Sequence, residues 1–210
     1  MPDGQAVATH LEKLYDLRPS DQYVLALAKP KLNHCELLRP EKYRQQFDNT
    51  LARVQQLAQE SGSANLAKAA ETLQSTQRGP ALPHHGAQSS YSGLTHMLST
   101  KDIELLLVHA ALQVQYQQPD QAIAILDAVL ELEPEREDAL HTLAVACLQT
   151  GRYTRAVAVC EGLLKSQSQS VQAAGIWFCL SQARWKQNDV EGARQAHRRY
   201  LQSLHSESHE

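Results

Sequence analysis

Residues 119–134 read PDQAIAILDAVLELEP, residues 153–168 read YTRAVAVCEGLLKSQS and residues 190–205 read VEGARQAHRRYLQSLH. Placed in register, Ala122, Ala156 and Ala193 coincide. Four residues on stand Leu126, Cys160 and His197, and eight on stand Leu130, Leu164 and Leu201. Small or apolar residues at i, i+4 and i+8 line one face of a helix. Upstream of each helix, Gln117-Gln118, Gly151-Arg152 and Asn188-Asp189 sit where the chain must turn. The offset is 34 residues from Ala122 to Ala156 and 37 from Ala156 to Ala193. The extra three fall in the Ser/Gln-rich loop 166–170.

This pattern resembles the tetratricopeptide repeat (TPR), whose period is 34. Leu106, Leu140 and Trp177 take the motif's early large apolar position, and Leu143, Leu180 and His109 the next. Ala110, Ala144 and Ser181 take the small position at which helices approach closely, and Pro134 closes the first repeat. The expected fold is all-α. It is a three-repeat superhelix with units of about 103–134, 137–170 and 174–207, in which each hairpin buries its apolar faces only by stacking on its neighbours.

The resemblance implies a concave groove lined by the first helix of each repeat. Its positions fall on Leu107, Ala111 and Val114, on His141, Val145 and Leu148, and on Phe178, Gln182 and Trp185. Seven of these nine are apolar, and soluble proteins rarely leave such a strip wet. Either part of the strip is core, since helix phase is uncertain by a residue, or the groove grips an amphipathic helix or apolar peptide. It lacks the Lys/Arg/Asn set of TPRs that clamp a C-terminal carboxylate.

Residues 1–77 differ in character. Tyr43, Phe47, Leu51, Val54 and Leu57 form one stripe on a helix of about 40–60, with Pro40 in its first turn and Ser61-Gly62 at its end. A second helix, about 63–77, carries Leu66, Ala69, Ala70 and Leu73. Val7, Leu11, Leu14 and Tyr15 suggest a short amphipathic turn in an otherwise extended arm that Pro19 and Pro30 interrupt. Two one-striped helices make a poor independent domain, because they bury too little to offset chain entropy. The segment needs a surface to lie on. Residues 78–96 are rich in Gly, Pro and Ser and read as a flexible linker with a reach of roughly 25 Å, so the stripe can meet the TPR part in cis or by a domain swap.

Composition removes several functions. The 210 residues carry 20 Lys+Arg and 23 Asp+Glu, a formal charge of −3, which argues against a nucleic-acid partner. The longest apolar stretch, Ile103 to Val114, is too short to insert in a bilayer, and no charged n-region with an apolar h-region opens the chain as a signal peptide would. Cys35, Cys147, Cys160 and Cys179 show no metal or disulfide spacing and fit a reducing cytosol. His84-His85, His197, His205 and His209 form no ligand set, so no metal and no cofactor is expected. No catalytic constellation is present, and an enzyme is not expected. Arg194, His197, Arg198 and Arg199 read as a solvated helix end or, alternatively, as a seat for an acidic partner.

Both parts also resemble a known system. Pro2-Asp3-Gly4, the run from His10 to Tyr15, Glu41-Lys42-Tyr43-Arg44 through Phe47-Asp48 to Leu51, and the stretch Leu66 to Leu73 resemble the X family of Ysc-type bacterial type III secretion. Leu105 to Leu107, Ala122 to Leu130, Glu133-Pro134, Trp177 to Ser181, Gly192 to Arg194 and Tyr200-Leu201 resemble the Y family, the TPR-type chaperones of X. Met97 could open the Y part, which would then run 97–210. The X part departs from its family at both ends. The stretch holding the export signal is absent before Pro2, and sequence rich in Gly, Pro, Ser and His replaces the apolar C-terminal helix. This suggests a fusion of truncated X with Y, engineered or natural.

The resemblance implies a chaperone held on its exported substrate at the cytoplasmic face of the export apparatus. X would be the secreted component and an inner-membrane export-gate protein the partner. The alternative is a general TPR interaction scaffold with a disordered N-terminal regulatory arm.

Overall fold

The computed structural model describes residues 40–77, 98–167 and 173–207. The arm with Val7, Leu11, Leu14 and Tyr15, the linker with His84-His85, and the centre of the 166–170 loop lie outside the described residues. Cys35 and His209 lie outside them too. All regular structure among the described residues is helical. The helices are α1 (Pro40–Ser61), α2 (Ala64–Gln77), α3 (Thr100–Gln115), α4 (Pro119–Leu132), α5 (Glu137–Gln149), α6 (Tyr153–Gln167), α7 (Ala173–Lys186) and α8 (Val190–Glu207).

Three antiparallel hairpins, α3/α4, α5/α6 and α7/α8, stack in chain order. The second helix of one packs on the first helix of the next, and the first helices also touch one another. Ala122 and Ala156 are fully buried and Ala193 nearly so, which explains why each aligned position carries a small residue. The leading hairpin α1/α2 is not a fourth repeat. Its α2 lies along α4, and α1 touches α3.

The repeats share one turn geometry. Gln117, Gly151 and Asn188 all have positive φ, at 63°, 76° and 63°. The following N–H of residues 118, 152 and 189 donates to the carbonyls of Gln113, Cys147 and Arg184, at 2.8, 2.8 and 3.0 Å. This six-to-one bond with a left-handed residue is the Schellman ending, which satisfies carbonyls the helix leaves open. The 34- and 37-residue offsets seen at the alanines recur in these turns.

α3 is the centre of the molecule. From Asp102 to Gln115 only Glu104 and Leu112 escape burial. A helix buried on nearly every side must be wrapped on nearly every side. Here α4, α5 and the α1/α2 hairpin each contact it or its partner helix, and one hydrophobic cluster runs from Phe47 to Ala196.

Two glycine substitutions should move stability in opposite directions. Gly151→Ala puts a Cβ in the left-handed region and should cost about 1–2 kcal/mol. Gly162 lies inside α6 with open space around it, so Gly162→Ala should gain about 0.5–1 kcal/mol. Urea midpoints of the two variants check both signs.

Candidate functional site

The apolar stripe of the leading hairpin faces the stack. Phe47 and Leu51 are 7% exposed, and Val54, Leu66 and Leu73 are at 1% or less, all in the same cluster as Ile103, Leu105 and Leu106. Leu57 packs at its margin, half-buried. The Tyr43 side chain lies outside the described residues.

Polar bonds fix where the hairpin sits. Asp102 is 2% exposed and closes a capping box with Ser99 at the start of α3. One carboxylate oxygen accepts from the Ser99 backbone N–H at 2.9 Å and its hydroxyl at 2.6 Å. The Arg53 guanidinium of α1 donates to that same oxygen at 2.5 Å, and the other oxygen accepts from Thr50 Oγ1 at 2.7 Å. Burial alone would raise the Asp102 pKa, but the hydrogen bonds from Ser99, Thr50 and Arg53 outweigh it and hold the carboxyl below its ordinary range. At the other end of the hairpin, Ser63 Oγ and Asn65 Nδ2 donate to Glu131 of α4 at 2.7 and 3.0 Å.

The Phe47 ring also meets His109 of α3, with centroids 5.5 Å apart and planes tilted by 57°. His109 Nε2 lies 3.2 Å from the Gln113 amide, and Nδ1 has no hydrogen-bond partner. Burial drives the His109 pKa down to about 4, so the ring is neutral in the fold. Of these contact residues, only Phe47 belongs to the stripe readable in sequence. The Ser99-x-x-Asp102 box is a visible signal for a helix start. That its carboxylate would serve a second element is not visible.

The nine expected groove residues grade from closed to open. Leu107, Ala111, Val114, His141 and Val145 are buried, and Leu148, Phe178 and Gln182 are intermediate. Trp185 is 56% exposed. The Phe178 ring packs on Tyr200 of α8 at 5.3 Å between centroids, which ties the third repeat together. The α1/α2 hairpin lies at the α3/α4 end of the stack, away from Trp185.

The remaining chemistry is quiet. Cys147, Cys160 and Cys179 are buried. Burial pushes the Cys147 thiol up to about 11 and Cys160 well above its usual value, and a thiol kept protonated is a poor nucleophile. Among the described residues no three His, Cys, Asp or Glu gather as metal ligands, and no helix is long and apolar enough to cross a membrane.

Comparison with known proteins adds two halves to this geometry. The family model of the type III secretion system protein YscX matches residues 1–82. A tetratricopeptide-repeat model matches residues 113–176. The chain is 34% identical over 112 residues to the chaperone protein YscY of Yersinia enterocolitica, covering 53% of this chain and 96% of the relative. It is equally similar, over the same shares, to the chaperone protein YscY of Yersinia pestis.

The hairpin contacts predict two windows of acid sensitivity. His109 binds its proton more weakly folded (about 4) than unfolded (6.5), so stability is complete above 6.5 and falls by about 3 kcal/mol as pH drops towards 4. Asp102 has a lowered folded pKa, so its share persists above the unfolded value near 3.8 and disappears as pH falls through the folded one. His109→Gln should flatten the first window only. Thr50→Val should cost about 1–3 kcal/mol at pH 7, because it removes a donor from a buried carboxylate. Urea midpoints between pH 3 and 8 test all three.

Proposed function

The chain belongs to the YscY chaperone family, and from that premise we propose that residues 98–207 hold the YscX-like residues 1–82 as a bound client within the same chain. One observation carries the reading. α3, the first helix of the stack, is buried along almost its whole length from Asp102 to Gln115, and the leading hairpin is the described element outside the repeats that packs at that end. A first repeat built to stand alone would turn polar residues outward. This one presents Ile103, Leu105 and Leu106 to a common core with Phe47, Val54, Leu66 and Leu73.

The energetics favour mutual dependence. Burying one large aliphatic or aromatic side chain contributes roughly 1.5–3 kcal/mol. The hairpin alone has one apolar stripe per helix and cannot repay its own ordering cost. Docked, both stripes are dry, and so is the end of the stack. Keeping an aggregation-prone segment soluble until it is handed on is the work of a secretion chaperone. The handover partner in this reading is an inner-membrane export-gate protein, and the place is the bacterial cytoplasm beside the export apparatus. The role is binding and delivery rather than catalysis, which fits the buried, protonated thiols.

Phe47→Asp with Leu51→Asp tests the reading. Two carboxylates in the shared core should lower the melting temperature by 10 °C or more, on the order of 3 kcal/mol, and raise the binding of an apolar dye. Limited proteolysis of the unmodified chain should leave 40–77 intact alongside 98–207. An unchanged melting temperature and dye signal, or rapid loss of 40–77 from an intact stack, would favour a TPR scaffold with a dispensable regulatory arm.

A further inference from the structure

Each repeat pairs charge with the next, and the last one reverses the pattern. Five residues after the aligned alanines stand Asp127 in α4, Glu161 in α6 and Arg198 in α8. Asp127 binds the Arg155 guanidinium, and Glu161 binds the Arg184 guanidinium at 2.7 Å, each arginine belonging to the following hairpin. This position therefore faces whatever comes next in the stack. One turn earlier on the same helix face stand Ile123, Val157 and Arg194. Ile123 is buried and Val157 half-buried, whereas Arg194 is exposed. α8 thus carries two arginines where α4 and α6 carry an apolar residue and an acid. Among the described residues no hairpin follows α8.

A terminal helix that only has to meet water can turn a polar face outward. This end does not. An open cleft of about 710 Å3 lies between α7 and α8, with Gln182, Trp185, Arg194, His197 and Arg198 in its lining. Trp185 is 56% exposed and Val190 39%. Arg194 forms no ion pair with a described residue, and the Arg198 pair with Glu191 lies within α8, at 3.4 Å with both side chains exposed. An open indole with cations beside it suits an amphipathic helix that carries acids along its apolar stripe.

We propose that α7 and α8 receive a helix of a separate protein, seated as the first helix of a fourth repeat would be, with an apolar side chain on Trp185 and carboxylates on Arg194 and Arg198. Charge selects this occupant. The ion-pair position has changed sign, so the incoming element carries acid where Arg155 and Arg184 carry base. A second copy meeting this face with its own would set Arg194 and Arg198 against like charges, which is unfavourable. Nor does the same chain offer an acidic stretch outside the described helices. Residues 1–39 hold five acids and five bases, and residues 78–97 hold Arg78 and no acid. The seat lies at the other end of the stack from the α1/α2 hairpin, and it does not depend on that hairpin being a client.

The test uses the full chain and a fluorescein-labelled helical peptide of three heptads, with Leu at positions a and d and Glu at e and g. Its control carries Lys in place of Glu. Fluorescence anisotropy at low salt should show the acidic peptide binding roughly tenfold more tightly than the basic one, and about 1 M salt should erase the difference. Arg194→Glu with Arg198→Glu should invert the preference. Trp185→Ala should weaken the acidic peptide roughly tenfold. All three side chains are exposed, so the melting temperature should hold in each variant. Bound acidic peptide should slow amide exchange in 173–207 and leave 40–77 unchanged. An acidic peptide that fails to bind at about 1 mM overturns the proposal, as does binding that ignores the arginine reversal or protects residues outside 173–207. A chain that sediments as a dimer, with the dimer altered by the arginine reversal, gives the face to a second copy and overturns it. So does an unliganded chain in which α8 exchanges as slowly as with peptide bound, because its own residues then fill the seat.

Discussion

α3 is buried on nearly every side, and most of the architecture follows from that. Isolated amphipathic helices gain little from propensity and take their stability from a covered face. A helix buried from Asp102 to Gln115, with two gaps, needs neighbours on every side. α4 and α5 are supplied by the repeat geometry. The remaining coverage has to come from outside the repeat, and the α1/α2 hairpin provides it by lying over α3 and α4 rather than continuing the succession. The hairpin's own deficit matches this need, since its stripes have no partner within itself.

Apolar contact alone would leave the register of the hairpin loose, because one greasy stripe slides on another at little cost. The polar anchors remove that freedom. Asp102 sits 2% exposed and must be satisfied, and two of its donors, Thr50 and Arg53, come from α1. An unmet carboxylate at that depth is far costlier than a lost apolar contact. Glu131 fixes the turn between α1 and α2 in the same way through Ser63 and Asn65, although more exposed. His109, neutral against Phe47, adds a contact that tolerates no charge. Apolar area therefore supplies attachment, and these groups supply position.

The stack was legible in the sequence because helix crossings impose small residues at fixed spacing. Ala122, Ala156 and Ala193 show that constraint directly. The helices 40–61 and 64–77 follow from their stripes and from Gly62, whose φ of 67° ends the first. Other features have weaker sequence signals. Left-handed turns at Gln117 and Asn188 match the one at Gly151 in geometry, yet only glycine announces it. The expected groove strip depends on helix phase, and exposure along it ranges from Val145 at 0% to Trp185 at 56%. Asp102 reads from sequence as a helix start. Its bonds to Thr50 and Arg53 span about fifty residues and arise only from the tertiary fit.

Covalent joining changes what holding a client means. Gln77 and Leu98 are connected through residues 78–97, so return of a detached hairpin to α3 and α4 is a unimolecular event. Effective concentrations for such joined partners are of millimolar order. Two separate chains at micromolar levels would lose the contact far more readily for the same intrinsic affinity. The hairpin in this chain can therefore be held by modest contacts and still stay closed. The same joint opposes handover. Once the hairpin opens it closes again before a competitor at micromolar concentration can take it, unless that competitor engages the open state more tightly by a factor near the ratio of the two concentrations, about a thousandfold. A chaperone that must release its client gains from separate chains, and one that must keep a labile end of its own stack covered gains from a single one.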